Sequence, residues 1–448
     1  MIIAKFGGTS VSSKESVLTL CNIVGSELER QPVVVVSALS GVTDLLLSLP
    51  GLPKSKIGKT IRKIRNLHYN LIKNLWSDKT LQKEIMQFID NQLDAVAKLI
   101  STGNPGGEFL DRLASFGEIM SSFIIARALE KRGIKAAQVI ATDLIITNNN
   151  FGSAEFLLQP TRKKTKMVLT PLIKQGIVPV VTGFIGSTKT GQVTTLGRGG
   201  SDYTASIIGF CLRALEIQIW TDVDGVFTAD PRIVEGAKSL QTVSFKEASE
   251  LAAFGARVLH PRTVRPAIKS GIAVKVLNTF NPQNGGTLIE ERSTTQGKIK
   301  AVSFKKKIFL VNIYATEMLY QKGFLAKIFR VFVRYDILVD LVSVSEVSVS
   351  VSVDERKNLE NAIKDLSEFS NVSLIEDMGM VSLIGEEITS STKTIRKVFE
   401  ILDKEKILAR MISLSAASIN ISIVMESDKV EQAVRILHNH FLLTTRLS

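Results

Sequence analysis

A chain of 448 residues is too long for one ordinary core, and 45% apolar with 22% charged residues excludes disordered and fibrous classes, so two or three globular domains are expected. No apolar run approaches the ~20 residues that span a bilayer. Nearly half of the net charge of +13 sits in residues 52–101, with ten Lys/Arg against four Asp/Glu. That excess reads as the solvated face of amphipathic helix, and no recognition motif accompanies it, so neither nucleic acid nor membrane is expected as a partner. Cys21 and Cys211 sit in helical patterns and form no disulfide framework. The opening residues pattern as a strand and not as a basic-then-apolar leader, so a reducing cytoplasm is expected.

In chain order, Met1-Ile2-Ile3-Ala4 predicts a strand, followed by a glycine turn and a helix from about Ser12 to Glu29. Val17, Leu20, Cys21, Val24 and Leu28 form that helix's apolar stripe. Val33–Ser37 reads as a buried, β-branched strand of a parallel sheet. Residues 52–101 predict a helical insertion with Ile61, Ile64, Leu67, Leu71 and Leu75 on one face. Further strands are expected at Val139–Thr142, Val178–Phe184, Ile217–Asp222 and Val274–Asn278, with helices at Ser201–Leu215 and Phe245–Phe254. Such alternation predicts an α/β fold, a mostly parallel sheet flanked by helices, over residues 1–295.

From about residue 296 the pattern changes to period two, as in Val347 to Val353. Lys327-Ile328-Phe329 recurs as Lys397-Val398-Phe399, and Ile337, Ser345 and Val351 align with Ile407, Ser415 and Ile421, all at an offset of 70. Residues 296–448 therefore predict two α+β ferredoxin-like modules, about 305–380 and 381–448, with the short strand 299–304 joining the second. A duplicated module after an enzyme core suggests a sensor or a dimerisation platform.

Two glycine motifs carry the chemistry. Lys5-Phe6-Gly7-Gly8-Thr9-Ser10 places a cation, two glycines and two hydroxyls able to cap a helix at a strand exit. Leu196-Gly197-Arg198-Gly199-Gly200-Ser201-Asp202 sets a planar guanidinium beside a helix N-terminus, where anions are favoured. Two such sites suggest an enzyme that holds two anionic molecules face to face. Ile57-Gly58-Lys59-Thr60 imitates the end of a P-loop, but Pro53 stands where the first glycine belongs, so it reads as a basic helix start. The four histidines lack metal-ligand spacing, and no metal site is expected.

Together with Trp220-Thr221-Asp222-Val223-Asp224-Gly225-Val226-Phe227, these motifs resemble the signature set of aspartate kinases, members of the amino-acid kinase superfamily with tandem C-terminal ACT domains. The length is similar to that of the single-function, lysine-sensitive type. The resemblance implies transfer of the γ-phosphate of ATP, with Mg2+, to the side-chain carboxylate of L-aspartate, at the head of the route to lysine, diaminopimelate, threonine and methionine. It implies that Lys5, with the backbone of Gly7 and Gly8, stabilises the transferring phosphate, and that Asp202 orients Lys5. Arg198 would bind the α-carboxylate, Glu118 and Asp202 the ammonium, and Thr43, Gly199, Gly200 and Ser201 the substrate oxygens. The nucleotide would meet Thr221, Asp222, Phe227, Arg232, Arg257 and Val258, with Phe227 and Arg257 replacing the tyrosine and lysine common in relatives.

The first C-terminal copy resembles the effector pocket of lysine-inhibited relatives through Met318, Gly323, Phe324, Leu325, Val339, Asp340, Ser345 and Glu346, although Gln321 stands where a serine is expected. The resemblance implies L-lysine as inhibitor and a homodimer through the ACT modules, or a tetramer. Two rival readings follow from the same residues: another amino-acid kinase with a different carboxylate acceptor, and a catalytically silent amino-acid sensor.

Overall fold

The computed structural model describes residues 1–103, 106–254, 261–291, 298–319, 321–390, 392–414 and 419–443. It divides into two compact units: Met1–Val226 with Gln241–Phe245 and Val258–Arg292, and Phe227–Leu240 with Lys246–Arg257 and Ser293–Ser448.

The first unit contains strands β1 (Ile2–Phe6), β2 (Pro32–Val36), β3 (Ala136–Val139), β4 (Ile146–Thr147), β5 (Val178–Thr182), β6 (Ile185–Thr188), β7 (Val193–Thr195), β8 (Glu216–Thr221), β9 (Thr242–Ser244), β10 (Ala273–Asn278) and β11 (Thr287–Glu290). Its helices are α1 (Lys14–Ser26), α2 (Val42–Ser48), α3 (Lys54–Leu75), α4 (Lys79–Thr102), α5 (Gly107–Lys131), α6 (Leu158–Lys174), α7 (Gly200–Leu212) and α9 (Pro261–Ser270), while α8 (Phe245–Ala253) lies almost wholly in the second unit. Eight strands form one sheet in the order β3-β5-β2-β1-β8-β10-β11-β9, with β3 through β10 all parallel. Every residue of β1 and β2 is buried, as a sheet covered on both faces requires. From β1 the chain winds outward in both directions, which opens a crevice at the strands' carboxyl ends. β4, β6 and β7 form a separate three-stranded sheet.

Several local expectations change. The cap of α1 is Ser13, which exchanges hydrogen bonds with Ser16 in a capping box, while Thr9–Val11 forms a 3-10 turn and the Ser10 hydroxyl bonds Thr279 at 2.7 Å. The strand expected at Val139–Thr142 ends at Val139, because the Ala141 N–H donates to the Thr182 hydroxyl (2.8 Å) and the chain turns into a short 3-10 segment. On α3 the buried stripe runs through Ile64, His68, Leu71 and Ile72, whereas Leu67 is exposed. His68 fits this apolar face because its Nδ1 bonds the Ile64 carbonyl at 2.8 Å, and burial pushes its pKa down to about 4, keeping it neutral.

The second unit carries β12 (Ala301–Tyr314), β13 (Leu341–Val344), β14 (Ser348–Val353), β15 (Asn371–Ile384), β16 (Met411–Leu414) and β17 (Asn420–Glu426), with helices α10 (Phe324–Arg334), α11 (Leu359–Ser367), α12 (Thr392–Lys404) and α13 (Val430–His438). The six strands form one antiparallel sheet, β13-β14-β12-β15-β17-β16. The segment read as a short separate strand is the first half of β12. Its Val302 packs with Val381, Val398 and Val434 in one core, while Val311 and Ile313 pack with Ile328, Val351 and Leu366 in another. A register shift between Lys306 and Ile308, with Lys307 at φ 60°, lets a single strand serve both cores. Lys327 and Lys397 fall on the equivalent helices α10 and α12, and Ser415 lies outside the described residues.

Candidate active site

The carboxyl ends of β1 and β2 and the N-terminus of α7 surround a cavity of about 340 Å³. Lys5, Gly8, Thr43, Glu118, Gly199, Gly200, Ser201 and Asp202 all line it. Lys5, on a central strand, is only 8% exposed, and its Nζ lies 2.6 Å from Asp202 Oδ1. Asp202 in the first turn of α7 complements the helix dipole while holding the lysine. The Gly200 N–H is taken by the Gly197 carbonyl at 2.9 Å, while Ser201 and Asp202 bring the first turn of α7 to the same space. At Gly8 a Cβ would come within 3.0 Å of the Ala38 carbonyl, so the turn after β1 approaches the turn after β2 only without a side chain. Gly7 plays another part: its N–H donates to the Trp220 carbonyl at 3.0 Å, an extension of the sheet, and is not offered to the cavity.

Glu118 enters from α5. Gly117 lets that helix approach β2, since a Cβ there would stand 2.9 Å from that of Ala38. Glu118 is 3% exposed, and its Oε1 accepts from the Ala38 N–H at 3.3 Å while Oε2 is buried with no hydrogen-bond partner among the described residues. Burial pushes its pKa up to about 8, and the Ala38 bond opposes that only in part. A buried carboxyl with one unpaired oxygen, on a residue that lines a cavity, suits a cationic ligand group.

Phe184 also lines the cavity and has φ 70°, a left-handed conformation rare for a bulky residue. Its N–H donates to the Thr204 hydroxyl (3.0 Å), which donates in turn to the Gly200 carbonyl (3.0 Å). The strained turn is thereby bound to α7. Nothing in the residue pattern singles out Phe184, because an aromatic at a strand end reads as core. Arg198 is exposed on the loop before α7 and is not among the cavity-lining residues.

These features lie within a known sequence framework. Residues 1–278 match the amino acid kinase family, and residues 381–441 match an ACT domain. The chain is 34% identical over 450 residues to lysine-sensitive aspartokinase 3 of Escherichia coli, covering 98% of this chain and 99% of that protein. It belongs to the aspartokinase family. Over 460 residues it is 36% identical to the chloroplastic aspartokinase 3 of Arabidopsis thaliana, covering 99% of this chain and 82% of the relative. The solved structure of E. coli aspartokinase III with aspartate and ADP (R-state) superposes with a TM-score of 0.85 at 33% identity, covering 99% and 100% of the two chains. The structure of that protein with lysine and aspartate (T-state) gives 0.80 at 33% identity, covering 99% of each chain.

The remaining expected residues separate into groups. Thr221 ends β8, and its hydroxyl meets Asp222 Oδ1 at 3.2 Å. Phe227 and Arg232 belong to the second unit, where Phe227 bridges to Ser239 and Arg232 folds back on Asp230 at 2.6 Å. Arg257 and Val258 lie outside the described residues.

In the second unit a cavity of about 420 Å³ is lined by Met318, Gln321, Gly323, Phe324, Leu325, Ser345 and Glu346. Gly323, at φ 86°, caps α10, whose first residues Phe324 and Leu325 line this cavity, with the Phe324 N–H taken by the Gln321 carbonyl at 3.3 Å. Val339 and Asp340 do not line it. Val339 packs on the first module's core. Asp340 pairs with Lys305 at 3.0 Å, and Lys305 also holds Asp354 at 2.6 Å. Burial and the neighbouring Asp354 raise the Asp340 pKa to about 6 despite that lysine. The whole of β13 separates Asp340 from Ser345, an extended span of roughly 16 Å at ~3.3 Å per residue.

Proposed function

We propose that the chain transfers the γ-phosphoryl group of ATP to the side-chain carboxylate of L-aspartate, giving 4-phospho-L-aspartate and ADP. The observation that carries this reading is the meeting of Lys5, Asp202 and the unpartnered Glu118 oxygen around one cavity at the N-terminus of α7. A β-carboxylate oxygen attacks the γ-phosphorus, the bond to the β–γ bridging oxygen breaks, and ADP departs. No general base is required, because the nucleophile is already ionised at neutral pH. Catalysis is then alignment and charge neutralisation. Lys5 neutralises charge on the transferring group, and Asp202 aims Lys5. Glu118 accepts the substrate ammonium, Arg198 reaches over to the α-carboxylate, and Thr43 and Ser201 donate to substrate oxygens. Thr221 and Asp222, at the carboxyl end of β8, are the proposed nucleotide contacts within the first unit. Mg2+ would arrive on the ATP phosphates, where it would supply further charge neutralisation.

The 420 Å³ cavity is the proposed site of L-lysine, with Glu346 receiving an ammonium and the N-terminus of α10 the carboxylate. β13 ends the six-stranded sheet and exposes Val342 and Val344, which favours pairing of two chains as a homodimer through this region. Among the described residues no helix is long and apolar enough to cross a membrane, and the free, buried Cys21 and Cys211 suit the proposed cytoplasmic setting. A hydroxamate assay with aspartate, glutamate and N-acetylglutamate, each with and without lysine, tests acceptor and effector together. Product from aspartate alone, suppressed by lysine, is expected. Product from N-acetylglutamate in its place would overturn the assignment, and a protein that binds lysine without turnover would be a sensor.

A further inference from the structure

Asp111 lies two turns before Glu118 on α5 and takes no part in the chemistry above. It is 3% exposed and forms no ion pair among the described residues. Its carboxylate instead collects donors from two segments. The Gly152 N–H reaches both oxygens, at 3.0 and 2.9 Å, the Thr195 N–H donates to Oδ2 at 2.8 Å, and the Thr195 hydroxyl donates to Oδ1 at 2.7 Å. Glu108, one turn earlier, accepts from Gln192 Nε2 at 2.7 Å on the same β6–β7 hairpin. A buried carboxylate is a costly way to join two loops unless their positions matter, because apolar packing would hold them at no desolvation cost.

What Asp111 holds is the base of the Arg198 loop. Thr195 is the last residue of β7, and Leu196-Gly197-Arg198-Gly199 follows directly before α7. Gly197 has φ 77°, and a Cβ on it would lie 3.3 Å from the Gly152 carbonyl, so the two segments that Asp111 joins are those that meet under the turn. Leu196 is fixed from the other side by its N–H to the Phe184 carbonyl at 2.9 Å. Arg198 is therefore a flexible side chain on a loop with a fixed root. Glu118 and that root hang from one helix face, since residues seven apart lie on the same side.

We propose that Asp111 is a positioning residue for the acceptor half of the site, setting the Arg198 loop relative to Glu118 so that one α-amino acid head group meets both. This rests on the reading of Arg198 and Glu118 as head-group contacts. The test is steady-state kinetics of the full chain with Asp111→Asn, Arg198→Ala and the double variant. Asp111→Asn is expected to raise the aspartate KM about tenfold, leave the ATP KM within about twofold, and add little once Arg198 is gone, because contributions acting through one group are not additive. Thr195→Val is expected to shift the aspartate KM in the same direction and Thr195→Ser to restore it, which keeps the proposal testable if Asp111→Asn does not fold. An unchanged aspartate KM, equal rises for both substrates, or full multiplication with Arg198→Ala would overturn it while wild-type turnover of aspartate stands. Absence of aspartate turnover in the wild type would instead overturn the functional reading, and this inference with it.

Discussion

The pH dependence of aspartate capture tests the site most directly. Glu118 has its pKa pushed to about 8 by burial, so the unliganded protein holds it mostly protonated at neutral pH. Its ionised form is the one that pairs with an ammonium. With a value of 8, roughly one molecule in ten is ionised at pH 7 and about one in a hundred at pH 6. For aspartate, kcat/KM should therefore rise about tenfold per pH unit between pH 6 and 7.5, then level off above 8, because this parameter reports groups of the free enzyme. The kcat profile should be much flatter, since bound ammonium keeps Glu118 charged. Initial rates at varied aspartate and saturating ATP, from pH 6 to 9, measure both.

Stability supplies an independent check on the same group. The folded pKa lies above the usual 4.5, so the folded state binds this proton more tightly than the unfolded state. The contribution is complete below pH 4.5 and is lost progressively as pH rises to 8, on the order of a few kcal/mol in all. Glu118→Gln should flatten that segment of the unliganded stability curve and raise the aspartate KM at every pH. A kcat/KM profile without slope between pH 6 and 7.5 in the wild type would refute the assignment of Glu118.

Three substitutions examine the other groups. Lys5→Ala should lower kcat by about 10²–10³, typical for loss of one electrostatic contact to a transition state, while calorimetry finds aspartate binding nearly intact; normal turnover removes Lys5 from the mechanism. Arg198→Ala should raise the aspartate KM by about ten- to a hundredfold, the worth of a hydrogen bond to a charged group, and an unchanged KM contradicts its role at the α-carboxylate. Glu346→Ala should abolish lysine inhibition in rate assays and leave the uninhibited rate alone; persistent inhibition moves the effector elsewhere.

The fold class was legible because buried parallel strands announce themselves as β-branched runs and the glycine motifs mark strand exits. The grouping of Lys5, Thr43, Glu118 and Ser201–Asp202 in one cavity followed from motif resemblance, and the geometry brings them together. What stayed hidden depends on partners distant in sequence. The Ala141 turn is decided by Thr182, forty-one residues on, and the role of Asp111 by Thr195 and Gly152. Gly7 looked like a phosphate contact because a glycine pair does not reveal which N–H the sheet has already taken. The pairing of Asp340 with Lys305 was hidden in the same way, because the two stand far apart in sequence.

The burial of Glu118 also bears on selectivity. An ordinary surface carboxylate would attract any cation and hold it weakly. Here charging the group is costly until a cation fills the space beside Oε2, so the ionised state and the bound substrate arise together. An acceptor whose amine is acylated brings no charge and leaves the choice between a neutral carboxyl and an unpaired buried anion. Either outcome removes the attraction that aspartate enjoys. Discrimination against N-acylated acceptors is therefore set by the desolvation of one side chain, and it should vanish in Glu118→Gln even if that variant still binds nucleotide.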